Sequence, residues 1–155
     1  MLPKRHDTCK RLKQLHEGSR RSFVVVKASN PELIDVALAE VNRQRAGALI
    51  VSIDGYLFSR REQIIALAAR DKIPAVYDRR PYATAGGLVS YGEDLSGAYR
   101  LIGVYVARIL KGEKPADLPV VQSAKFELVV NLRTAKALGI EFPPQVLALA
   151  NEVIE

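Results

Sequence analysis

The sequence predicts an α/β fold, a parallel sheet flanked by helices. Two observations carry that prediction. Short apolar runs rich in Val and Ile alternate with stretches whose apolar residues recur at helical spacing. The runs are apolar on both faces, as strands covered by helices on either side must be. Helix caps and stops punctuate the alternation where the fold needs them.

Taken in order, Phe23-Val24-Val25-Val26 is a β-branched run and reads as a strand. Asn30-Pro31 follows, an N-cap with proline at the first helical position. Ile34, Ala37, Leu38 and Val41 then share one helical face. Residues 48–53, Ala48 to Ile53, read as a second strand. Ser59-Arg60-Arg61-Glu62 has the spacing of a capping box and opens a helix with Ile64, Ile65, Leu67 and Ala68 inward. Pro74 introduces a third strand, Ala75-Val76-Tyr77, and Gly86-Gly87 breaks the chain before a fourth, Leu88 to Tyr91.

Asp94 or Ser96 caps the longest helix, which stops at Lys111-Gly112 and carries Ala98, Leu101, Ile102, Tyr105, Val106 and Ile109 as a stripe. Phe126 to Val130 is a fifth strand, and Asn131 caps a short helix closed by Gly139. Pro143-Pro144 starts a last helix that places Val146, Leu147, Ala150 and Val153 on one side.

Composition narrows the function classes. The chain has 155 residues, 48% of them hydrophobic, with no Trp, one cysteine (Cys9) and two histidines (His6 and His16). One domain's worth of core is available, and neither an internal disulfide nor a multi-cysteine metal site can form. No apolar run reaches the ~18 residues that span a membrane. With both histidines near the N-terminus, the body cannot assemble a Ser-His-Asp or Cys-His centre. Glycine-rich phosphate loops are absent too.

The net charge of +6 is concentrated at the N-terminus. Residues 1–21 hold seven of the 23 Lys/Arg but only Asp7 and Glu17 of the 17 acids. This segment lacks the apolar stretch of a secretory signal and the aromatics of a base-stacking surface. It is expected to be a solvated basic extension outside the fold, and nucleic acid is not expected as a partner.

In parallel sheets, ligands bind beyond the carboxyl ends of the strands. Four loops fall there: Lys27-Ala28-Ser29, Asp54-Gly55-Tyr56, Asp78-Arg79-Arg80 and Ser90-Tyr91-Gly92. Their polar and aromatic residues suit an anionic or zwitterionic ligand, with Asp54, Tyr56, Asp78, Arg79, Ser90 and Tyr91 as the expected contacts. Aspartate would take an ammonium group, arginine a carboxylate and tyrosine the apolar part. Two alternatives stay open on these residues. One is a small α/β enzyme with Asp54 and Asp78 at a metal or phosphate site. The other is an effector-type domain using the basic segment as a nucleic-acid-binding arm.

Several stretches together carry a family resemblance: AGALIVSIDGYLFSRREQIIALAARDKIPAVYDRR, AGGLVSYGEDLSGAYR, RILKGEKPADLPV, KFELVVNLRTAKALGI and PPQVLALANEVIE. In this order they resemble the C-terminal half of the ABC transporter substrate-binding proteins, a type I periplasmic-binding family that includes tryptophan- and tyrosine-type binders. The resemblance covers residues 23–155. It implies a non-enzymatic solute-binding role with no cofactor and no metal, a small amino-acid-like ligand, and an ABC permease as partner. It further implies that residues 22–155 form the C-terminal lobe, with 94–122 reaching toward an N-terminal lobe that these 155 residues lack. The chain therefore reads as a truncated component. Its place is the periplasm by family, and the cytoplasm for the chain as it stands without a signal segment. A helix with no lobe to cover it is expected to pair two copies as a homodimer through residues 94–111.

Overall fold

The computed structural model describes residues 22–121 and 125–155. They fall into two compact units divided between Ala46 and Gly47. The basic segment, with Cys9 and both histidines, lies outside the described residues.

In the first unit, helix α1 (Pro31–Arg43) begins as its sequence prescribes. The Asn30 side chain accepts the Leu33 N–H at 2.7 Å, and Pro31 occupies the first turn. Its buried residues are Ile34, Ala37, Leu38 and Val41, the expected face. The run Phe23–Val26 forms no strand, and Phe23, Val24 and Val25 are exposed. A β-branched run has only a preference for extended backbone, and becomes a strand when a ladder partner takes its hydrogen bonds.

The second unit is built on a five-stranded sheet, spatially ordered as in the chain: β1 (Leu49–Ile50), β2 (Ala75–Tyr77), β3 (Val89–Glu93), β4 (Phe126–Asn131) and β5 (Glu152–Ile154). The β1–β2, β2–β3 and β4–β5 pairs are parallel, whereas β3 and β4 are antiparallel. The sheet is thus mostly parallel, with one reversal. Between the strands lie α2 (Gly55–Ser59), α3 (Arg61–Arg70), α4 (Arg80–Thr84), α5 (Leu95–Leu110), a single 3₁₀ turn at Pro115–Asp117, α6 (Leu132–Leu138) and α7 (Pro144–Leu149).

The reversal has a local cause. The chain leaves the sheet at the carboxyl end of β3 and comes back at that same end, where the Asp94 N–H donates to the Lys125 carbonyl at 2.9 Å. A return at the end of departure must run antiparallel. Helix α5 lies on this excursion. The Asp94 carboxylate caps it through the Ser96 and Gly97 N–H groups. None of its 16 residues is buried.

The core sits where α3 and α4 cover the sheet, with Ile64, Ile65, Ala75, Tyr77, Tyr82, Ala83, Leu88, Val129 and Val130 all buried. Asn131 ties its edges together. Its side chain donates to the Ala83 carbonyl at 3.0 Å and accepts the Thr134 N–H that starts α6, which Gly139 closes at φ 69°.

Three boundaries differ from the sequence expectation. Strand β1 is two residues long because Asp54 pulls the chain into α2, leaving Ile53 exposed. The capping box at Ser59 does not form. Ser59 instead ends α2, its hydroxyl donates to the Tyr56 carbonyl, and the N-cap of α3 is Arg60 with no side-chain bond. At the C-terminus, α7 stops at Leu149 and Val153 belongs to β5. Asn151 joins that strand to β4, giving its N–H to the Leu128 carbonyl and accepting the Leu128 N–H at 2.8 Å each way.

Candidate functional site

The loops after β1 and β2 converge on one aromatic ring. Asp54 ends the first loop, and its Oδ1 accepts the Tyr56 and Leu57 N–H groups at 2.8 and 3.1 Å, which starts α2. One turn into this helix stands Phe58. Asp78 ends β2, and one of its carboxylate oxygens receives both Arg79 Nε at 2.8 Å and Arg79 Nη2 at 2.6 Å. That pair is well shielded, so the contacts are charge-assisted and scarcely screened. Held there, the Arg79 guanidinium lies 4.6 Å from the centre of the Phe58 ring, and Arg61 from α3 lies 5.2 Å from the same centre.

Beneath Phe58 the aromatic contacts continue inward. Phe58 meets Tyr82 edge-on at 5.8 Å, and Tyr82 stacks on Tyr77 at 4.5 Å. Tyr82 is fully buried, and its hydroxyl has no hydrogen-bond partner among the described residues. Burial pushes its phenol up to about 12, the Asp78 charge adds to that, and Arg79 and Arg61 pull the other way. Burial raises the Tyr77 phenol as well, with Tyr82 contributing. Asp54, Arg61, Asp78 and Arg79 thus all act electrostatically on one buried phenol.

The six sequence-expected residues are placed as follows. Asp54, Asp78 and Arg79 share the surroundings of Tyr82. Tyr56 lies on α2, its hydroxyl buried without a partner among the described residues. Ser90 lies on β3 beside Tyr77, and its Oγ is also buried and unpartnered among the described residues. Tyr91, next in the strand, points to the opposite face. There it is 57% exposed and stacks on Phe126 at 5.5 Å.

Phe58, Arg61 and Tyr82 escaped the sequence reading. Asp54 as an N-cap was the signal available for Phe58, because a cap at 54 sets residue 58 one turn into a helix. Arg61 and Tyr82 carried no such local signal. The metal reading finds little support here. The Asp54 carboxylate is engaged by backbone N–H groups and that of Asp78 by Arg79. Among the described residues, no group of three or more His, Cys, Asp or Glu side chains could hold a metal ion. Nor is any helix among them long and apolar enough to cross a membrane.

Comparison with known proteins gives consistent results. The family model described as ABC transporter substrate binding protein matches residues 3–154. The match therefore starts within the basic segment, earlier than the resemblance at 23–155. A tyrosine-binding protein of Clostridioides difficile (strain R20291) is 24% identical over 124 residues, which is 74% of this chain and 36% of that protein. A conserved domain protein from Vibrio cholerae O1 biovar El Tor superposes with TM-score 0.82 at 26% identity, covering 95% of this chain and 49% of the other. An ABC domain in complex with L-Trp from Streptococcus pneumonia gives the same TM-score at 25% identity, covering 96% and 51%. This chain spans about half the length of those two solved chains. The family is one of substrate-binding proteins, not enzymes.

Proposed function

We propose that this chain, which belongs to the family of ABC transporter substrate-binding proteins, supplies one wall of a site for an amino-acid-like ligand at the carboxyl ends of β1, β2 and β3. The observation that carries the reading is the Arg79 guanidinium, held by Asp78 and laid over the Phe58 ring. A ligand carboxylate would meet Arg79, its ammonium group Asp78 or Asp54, and its side chain the Phe58 ring. The L-Trp complex and the tyrosine-binding relative support this ligand class. Tyr56 and Ser90 supply hydroxyls that still lack a partner among the described residues. Tyr91 serves the opposite face, where it stacks on Phe126.

Ligand pockets bury roughly 70–90% of their ligand, which a single wall cannot do. In this reading α5 reaches toward a second lobe, and an ABC permease recognises the closed pair. Where that lobe is not supplied, a second copy covers α5 and the chain is a homodimer. The bareness of α5 favours some such cover, since the apolar stripe of an amphipathic helix is ordinarily packed against a partner.

Amide chemical-shift mapping with L-tryptophan and L-tyrosine tests the site. Shifts centred on residues 54–58, 78–79 and 90 are expected, and Arg79→Ala should weaken binding tenfold or more. Shifts confined to other residues would overturn the assignment.

A further inference from the structure

We infer that Gly92 is a positioning residue, whose missing side chain sets where Asp78 and Arg79 stand at the proposed site.

Gly92 lies near the end of β3, two residues after Ser90, and so faces the same side of the sheet. The β2–β3 ladder ends at Tyr77 and Ser90. Just past it, the backbone of Asp78 crosses over the bare Cα of Gly92. A Cβ built there would overlap the Asp78 carbonyl oxygen and stand 2.7 Å from its carbonyl carbon and 3.6 Å from the Arg79 nitrogen. These are backbone atoms, with no rotamer to relieve the clash. Any other residue must therefore drive the 78–79 peptide and the end of β3 apart by an ångström or more.

The consequence falls on Arg79. Its guanidinium is held at 2.8 and 2.6 Å on one Asp78 oxygen and at 4.6 Å over Phe58. The Asp78 contacts move with the 78–79 peptide, whereas Phe58 belongs to α2 and does not. A shift of that peptide therefore breaks one set of contacts or the other. Misplacement of about 1 Å in a preorganised site is worth orders of magnitude in function. At Gly87, by contrast, a Cβ would first meet the Tyr77 ring and the Tyr82 carbonyl oxygen.

The effect on ligand affinity rests on the proposed amino-acid site; the geometric claim does not. The test uses the full chain, isotope-labelled, as wild type, Gly92→Ala, Arg79→Ala and the double variant. In Gly92→Ala, the Arg79 Nε–H resonance and the amides of residues 78–80 should shift, while those of α6 stay in place. Unchanged Arg79 and Asp78 resonances would overturn the inference. L-tryptophan titrations form the second arm. Gly92→Ala should cost tenfold or more in affinity alone and nothing further in the Arg79→Ala background. A full additional loss in that background would show that Gly92 does not act through Arg79. If the wild type binds neither L-tryptophan nor L-tyrosine, the proposed site fails and the resonances alone decide the role of Gly92. Should Gly92→Ala not fold, a nuclear Overhauser contact between the Gly92 α-protons and the Arg79 amide in the wild type supports the close approach, and its absence refutes it.

Discussion

Replacing Tyr82 by phenylalanine removes one oxygen and leaves the ring stack intact. The hydroxyl is buried without a hydrogen-bond partner among the described residues, and its phenol ionises near 12 instead of 10. Two effects follow. At neutral pH, deleting a buried unpartnered hydroxyl should leave stability unchanged or raise it by about 1–2 kcal/mol, because the desolvation cost of the group is removed. At alkaline pH the linkage sign is set by the raised value. The native state holds its proton more tightly than the unfolded state, so the contribution is fully present below pH 10 and is lost as pH rises through about 12. A two-unit shift corresponds to about 3 kcal/mol. Urea unfolding at pH 8, 10, 11 and 12 measures both effects. Groups that do not interact with Tyr82 behave alike in both proteins and cancel in the difference. The wild type should lose about 2 kcal/mol more than Tyr82→Phe between pH 10 and 12, the rest of the difference falling outside that interval. Parallel pH dependences, or a variant clearly less stable at pH 8, would refute the reasoning and show that the hydroxyl has a native partner.

Asn131→Ala should destabilise the fold by about 1–2 kcal/mol in urea unfolding, because it removes the buried bond to the Ala83 carbonyl, which keeps the Gly86 N–H, and uncaps α6 as well. Sedimentation should find a concentration-dependent dimer that Ile102→Glu dissociates, since Ile102 is 56% exposed on an apolar helix. A monomer at every concentration would leave α5 without the proposed second-copy cover.

The sequence by itself determined what neighbours along the chain decide. Asn30-Pro31, Asp94 and the pair Asn131 and Gly139 start or stop helices through bonds that span three or four residues, so their signals could be read directly. Central strands were legible because runs such as Ala75-Val76-Tyr77 are apolar throughout, although only Ala75 and Tyr77 reach the core and Val76 is exposed. The motifs added the family. Tertiary structure decided what depends on distant partners. Phe23–Val26 and Glu152–Ile154 have similar β-branched character, yet only the second has a ladder, because β4 is there to receive it. The direction of β4 followed from where the chain re-entered the sheet, which no local pattern encodes. The site divides in the same way. Asp54, Asp78 and Arg79 could be named from their places at strand ends. The Phe58 ring that unites them, Arg61 over it and the buried Tyr82 beneath it come from separate elements. Their convergence is a product of packing, which only the folded chain supplies.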